Sequence, residues 1–160
     1  MQKRIILLLL VIAGFACQQD ATSNWVEHDL LEYGIPVTIE GPDSIKVNVT
    51  DALGVIQDIT VDSPDDNYHL QIYASQASTD DIAIIKADLI SDVRSNPFFT
   101  KVIEEDEKGF VFETMIDSAN YYGFRHVHVQ GDQEFIFQTG LGHSFQEAEA
   151  RRLREAVRQE

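Results

Sequence analysis

The chain has a single cysteine among its 160 residues, Cys17. One thiol excludes an internal disulfide, and with it the paired cysteines of a zinc ribbon or a C-x-x-C redox site. Basic residues are also scarce: 12 Lys+Arg stand against 27 Asp+Glu, a net charge of −15. A surface of that sign repels nucleic acid and anionic lipid headgroups, so nucleic acid is not an expected partner. No apolar run reaches the roughly 20 residues of a spanning helix. A Gly-rich phosphate loop and an H-E-x-x-H pair are both missing. Ser144 lies in Gly142-His143-Ser144-Phe145-Gln146, which is not the G-x-S-x-G of a hydrolase elbow. Repeats and low-complexity tracts are absent. The expectation is a protein that is not an enzyme, with no catalytic residue and no cofactor.

What the chain does have begins at its start. Lys3 and Arg4 precede Ile5–Phe15, eleven residues without a charge, and Ala16-Cys17 close the segment. A charged start followed by a short apolar stretch is the layout of a secretory signal. Gly14-Phe15-Ala16-Cys17 resembles a lipobox, departing from the common pattern at Gly14, where Leu is usual. The resemblance implies cleavage before Cys17 and acylation of its thiol. A lone exposed thiol outside the cytoplasm would otherwise be a reactive liability. Residues 1–16 then form a signal peptide. Residues 17–24 form a lipidated cysteine and a polar tether, and residues 25–160 a single α+β domain. The expected location is the cell envelope, as an outer-membrane lipoprotein on its periplasmic or surface face. The expected partners are the membrane, through the acyl anchor on Cys17, and an envelope protein. Removing residues 1–16 takes away Lys3 and Arg4 and no acid, so the charge of −15 becomes −17.

Downstream, apolar residues alternate along short stretches. Ile35, Val37 and Ile39 read as one half-buried strand. Gly41-Pro42-Asp43-Ser44 reads as a turn, and Ile45, Val47 and Val49 as the second arm of a hairpin. Val55–Val61 and Tyr68–Ala74 read as two more strands, split by the breaker-rich 62–67 segment. The period then changes. Ile82, Ile85, Leu89 and Val93 recur at helical spacing behind a Ser78/Asp81 capping box, and Asn96-Pro97 ends the helix. Strands follow at Phe99–Glu105, Phe110–Ile116, Tyr121–Gln130 and Glu134–Thr139. A final helix opens at a Ser144/Glu147 capping box, with Phe145, Ala148, Leu153, Ala156 and Val157 on its apolar side. Hairpin turns outnumber crossovers. The expected fold is therefore α+β: an antiparallel β-sheet with an internal helix and a C-terminal helix packed on it.

This order resembles the PsbP-like fold over roughly residues 30–158. The Tyr33-Gly34-Ile35 to Gly41-Pro42-Asp43 opening, the Ser78–Asn96 helix, and the Phe124 to Phe137 hairpin before a capped helix carry the likeness. It also looks like a group of lipoproteins from Bacteroidetes-type bacteria. The resemblance implies a binding or assembly module and carries over no catalytic residue.

His126 and His128 are the metal candidates. At i and i+2 on a strand their imidazoles leave from one face, and two imidazoles bind Zn²⁺ or Cu²⁺ when a third ligand joins them. His69, His143, Glu113 and Glu134 are the candidates for that third ligand. The competing reading is a polar sheet face with Phe124, His126, His128 and Gln130 half exposed and Val127 and Val129 turned inward. Asp62, Asp65, Asp66 and Asn67 offer oxygens to Ca²⁺ but do not match an EF-hand, and they suit a turn better. Glu104, Glu105, Asp106 and Glu107 read as a solvated hairpin tip, since acid–base work needs a cleft. Tyr121, Tyr122, Phe124, Phe135 and Phe137 read as sheet core. Asn48-Val49-Thr50 matches a glycosylation sequon without force in a bacterial lipoprotein.

Overall fold

A computed structural model describes residues 25–158, with position 53 excepted. The proposed signal, Cys17 and the tether lie outside these residues. The fold is mixed α+β. Nine strands are present among the described residues: β1 Val26–Asp29, β2 Thr38–Gly41, β3 Lys46–Ala52, β4 Ile56–Ser63, β5 Tyr68–Gln76, β6 Phe99–Glu105, β7 Gly109–Ile116, β8 Ala119–Gln130 and β9 Gln133–Thr139. Two helices, α1 Ile82–Ser95 and α2 Glu147–Glu155, complete it. Seven strands form one antiparallel sheet in the order β3-β4-β5-β9-β8-β7-β6. β1 and β2 form a separate ribbon.

Successive side chains of a strand leave on opposite faces, and here both faces of the sheet's centre are covered. Val111, Phe124, Phe135 and Phe137 point to one side, where Ala150 and Leu153 of α2 and Val157 just beyond it meet them. Phe110 and Phe112 point to the other side, against Leu89 and Val93 of α1. This explains the dense apolar character of β7 and β8, which lack the clean alternation of a sheet wetted on one side.

Helix α1 starts where Asp81 accepts hydrogen bonds from the Ala83 and Ile84 amides, at 3.0 and 3.4 Å. Asp81, rather than Ser78, is thus its cap. Asn96-Pro97 ends it as expected, because a residue before proline is pushed out of the helical region. Helix α2 opens at Gln146, whose amide donates to the Glu149 carboxylate at 2.7 Å. This capping box lies two residues beyond the Ser144/Glu147 pair read from the sequence.

The expected hairpin of 35–39 with 45–49 does not form. β2 pairs with β1, and β3 pairs with β4. A tight turn at Leu31–Tyr33 reverses the chain onto β1 instead, and Gly34 closes that turn in the left-handed region at φ 80. Leu30, Ile35, Val37 and Ile39 still reach the main core. The Glu40 amide donates to the Ala156 carbonyl at 2.8 Å, tying the ribbon to the end of α2. Trp25 packs edge-on against Tyr68 at 5.2 Å, and the Arg152 guanidinium sits 4.0 Å over its ring.

Candidate functional site

His126 and His128 do leave the same face of β8, against Phe137 and Phe135 respectively. The half-exposed polar face is corrected, however: Phe124 and His126 are buried, and only His128 is half-buried. The reason is α2, which covers that side of β8. His126 has no hydrogen-bond partner on either nitrogen among the described residues. Burial, reinforced by the nearby Arg154 cation, pushes its pKa down to about 4, against the smaller pull of Asp106. His128 is also lowered by burial, against a hydrogen bond that its ring donates to the Gln130 side chain.

None of the four residues named as a third ligand completes this pair. Glu113 is buried opposite Tyr122 and faces Lys101 at 3.8 Å. Glu134 lies opposite Ser75 and Val129, its pKa raised by burial. His69 and His143 come together elsewhere.

The acidic tip of the β6–β7 hairpin is not merely solvated. Two register shifts in β6 place Glu104 opposite Val111, on the α2 face. There Glu104 pairs with Arg151 and Arg154, and Asp106 with Arg154 and Arg158. Arg154 is fully buried, so these carboxylates are what make its charge tolerable beneath α2. Burial alone would raise the Asp106 pKa, but Arg154 and the Gly109 and Lys108 amides outweigh it and hold it low. Lys86 joins the same hairpin, bonding Glu105 at 3.0 Å.

The one group of metal-type ligands among the described residues is Asp62, His69 and His143, with donor atoms all within 4.8 Å of one another. Its origin is local at first. The turn at Pro64–Asp66, closed by Asn67 at φ 51, sets β4 against β5 so that Asp62 lies opposite His69. The His69 Nδ1 proton is donated to the Asp62 carboxylate at 2.8 Å. That bond fixes the tautomer and leaves Nε2 as the free ligand atom. The third member arrives from 74 positions away. β9 pairs with β5, and the Gly140 amide donates to the His69 carbonyl at 2.9 Å. A Cβ at Gly140 would lie 2.9 Å from the His69 Cβ, so glycine is what lets the two backbones meet. His143 then stacks on His69, ring centroids 3.5 Å apart and planes 16° from parallel.

A metal ion lies in the plane of each imidazole it binds, and stacked planes do not converge. Binding therefore requires one ring to turn. His143 is the exposed partner and follows Gly142, which sits at φ 79, whereas His69 is buried and tied to Asp62. The 62–67 stretch forms the turn read from the sequence, and its polar side chains take separate partners. Asp62 serves His69, Asp66 accepts from Ser63 at 2.6 Å, and Asn67 donates to Glu149 at 2.7 Å.

The His69–Asp62 pairing was within reach of the sequence, because a hairpin about the 64–67 turn sets the two positions opposite each other. The approach of His143 carries no local signal. No protein-family model, curated protein or solved structure matches this chain.

Proposed function

We propose that this chain is a non-catalytic binding protein of the cell envelope, tethered by an acyl group on Cys17, and that it takes up a divalent transition-metal ion. The metal-binding part of this reading moves from His126 and His128 to His69 and His143, with Asp62 as third member. The carrying observation is the hydrogen bond from His69 Nδ1 to Asp62 with His143 stacked alongside. Carboxylate–imidazole pairs of this kind orient metal-binding histidines and raise their basicity. Two imidazoles, one of them oriented by a carboxylate, suit Zn²⁺, Ni²⁺ or Cu²⁺ and leave positions for water or for a partner's ligand. Attachment is supported by the Lys3-Arg4 start, the apolar run and Ala16-Cys17, and the PsbP-like resemblance is supported by element order alone.

The test is thermal unfolding of the protein with added Zn²⁺, Ni²⁺ and Cu²⁺. A ligand at one hundred times its Kd stabilises the fold by about 2.7 kcal/mol. The midpoint is expected to rise in the wild type and in His126→Ala/His128→Ala, measured against its own metal-free midpoint, and not in His143→Ala. Because His143 is exposed, removing it leaves the core intact. A midpoint indifferent to all three metals, or an equal rise without His143, rejects the site.

A further inference from the structure

Arg125 is one of two arginines whose guanidinium lies over an aromatic ring with no carboxylate within 4.0 Å among the described residues; the other, Arg152, covers Trp25. Arg125 lies on β8 opposite Gln138, on the α1 face, with its guanidinium 5.4 Å over the Phe112 ring. Nη1 donates to the Phe124 carbonyl at 3.0 Å. Among the described residues no carboxylate lies within 4.0 Å of it; Asp92 of α1 acts only at longer range. Burial pulls its pKa down to about 10, against the opposing pull of Asp92 and Tyr73. The side chain is half-buried, with a neutral carbonyl and an aromatic face for company, and so can still reach a counter-ion from the cavity.

Arg125 lines a cavity of about 380 Å³ between the end of α1, strands β7 and β8, and the 139–145 turn. The other walls include Phe112, Ile116, Tyr121, Leu141 and Phe145. The size falls within the range of about 300–1,000 Å³ typical of small-molecule sites, which combine apolar walls with a few placed polar groups. Its mouth is apolar. Leu141 is 67% exposed and Ile116 39%.

We infer that this cavity binds a small amphipathic carboxylate, its head group on Arg125 and its hydrocarbon body against Phe112, Ile116 and Leu141. A guanidinium matches a carboxylate through two parallel hydrogen bonds. The remaining walls mix these apolar side chains with neutral polar groups such as Asn96, Thr114, Thr139 and Ser144, and a single arginine there suits a monoanion with a short apolar body. A phosphorylated or polyanionic ligand would meet one positive group on a chain of net charge −15 and is disfavoured. The inference stands apart from the metal reading, although His143 borders both places.

The test is calorimetric titration of the full chain with decanoate, decanol and decylamine, in buffer containing EDTA so that no bound metal can hold the carboxylate. Decanoate is expected to saturate one site at least ten-fold more tightly than decanol, and decylamine not to bind. Arg125→Gln should remove the preference for decanoate over decanol. Leu141→Asp, a change at an exposed position, should weaken both and keeps the test decisive if Arg125→Gln does not fold. The inference is overturned if decanoate shows no saturable binding. It is equally overturned if decanol matches decanoate, or if Leu141→Asp binds decanoate as tightly as the wild type.

Discussion

His69 and His143 stack face to face, 3.5 Å apart, although 74 positions separate them in the chain. The Asp62 carboxylate grips the first ring from the neighbouring strand. Asp62→Asn leaves a hydrogen-bonding side chain of the same shape but removes the charge. Loss of such an orienting partner typically costs 10–100-fold in metal affinity. We expect that loss for Zn²⁺ in a competition titration against a chromophoric chelator, with the metal-free unfolding midpoint almost unchanged. Unaltered affinity would remove Asp62 from the site.

Folding should weaken in mild acid because of His126. Its pKa is about 4 in the folded protein and near 6.5 when unfolded, so between those values the unfolded chain binds more protons. Stability therefore falls as pH drops from about 6.5 to 4, by about 3 kcal/mol in all. His126→Leu removes the proton acceptor along with two buried nitrogens that lack partners. Urea midpoints between pH 7 and 4 should decline steeply for the wild type and less for the variant. Parallel curves would contradict the assignment. Asp106 adds to the wild-type decline only at lower pH, because its folded pKa lies below the usual carboxylate range.

Arg154 and Arg158 share a carboxylate but not an environment. The Arg154 side chain is 1% exposed and that of Arg158 47%. Exposed pairs contribute about 0–1 kcal/mol, so Arg158→Ala should stay below about 1 kcal/mol in denaturant unfolding. Arg154→Met should cost about 2 kcal/mol. That is less than a fully buried pair, since Glu104 and Asp106 each keep about a third of their surface in water and retain a second arginine.

Gly109 and Gly34 should respond differently to alanine. At Gly109 an added Cβ would overlap the Arg125 carbonyl and lie 3.1 Å from the His126 Cα. Crowding of this kind costs about 1–3 kcal/mol. At Gly34 the Cβ meets open space, and the cost is only that of φ 80, about 1 kcal/mol. Chemical unfolding of both variants should show Gly109→Ala as the less stable; the reverse order would contradict the close strand approach.

Cys17→Ser should release the chain from the membrane fraction and abolish labelling by a radioactive fatty acid, if the thiol carries the anchor. A variant that stays with membranes and takes up label would place attachment elsewhere.

The strand and helix alphabet was legible because side-chain period is a local property. Alternation and a breaker-rich turn marked β4 and β5, turn residues bounded the four strands from β6 to β9, and the 3.6-residue period marked α1. Ile35–Ile39 was misassigned to a hairpin with 45–49. Alternation reports that a strand has one buried face and does not say which strand lies beside it. Helix caps shifted by two or three residues because several Ser, Asp and Gln side chains competed for the same role, and the packing of the apolar stripe chose among them.

The acidic balance, the solitary thiol, the antiparallel α+β class and the opposition of Asp62 and His69 across a short turn were all written in the order of residues. All of these follow from composition or from neighbours in the chain. Which histidines meet depended instead on long-range packing. The pairing of β9 with β5 carries His143 onto His69, while α2 closes over His126. The same packing leaves Arg125 without a counter-ion and gathers Glu104 and Asp106 around Arg154. Charge and ligand sets depend on distances between remote residues, and those distances are fixed only once strand order and helix placement are.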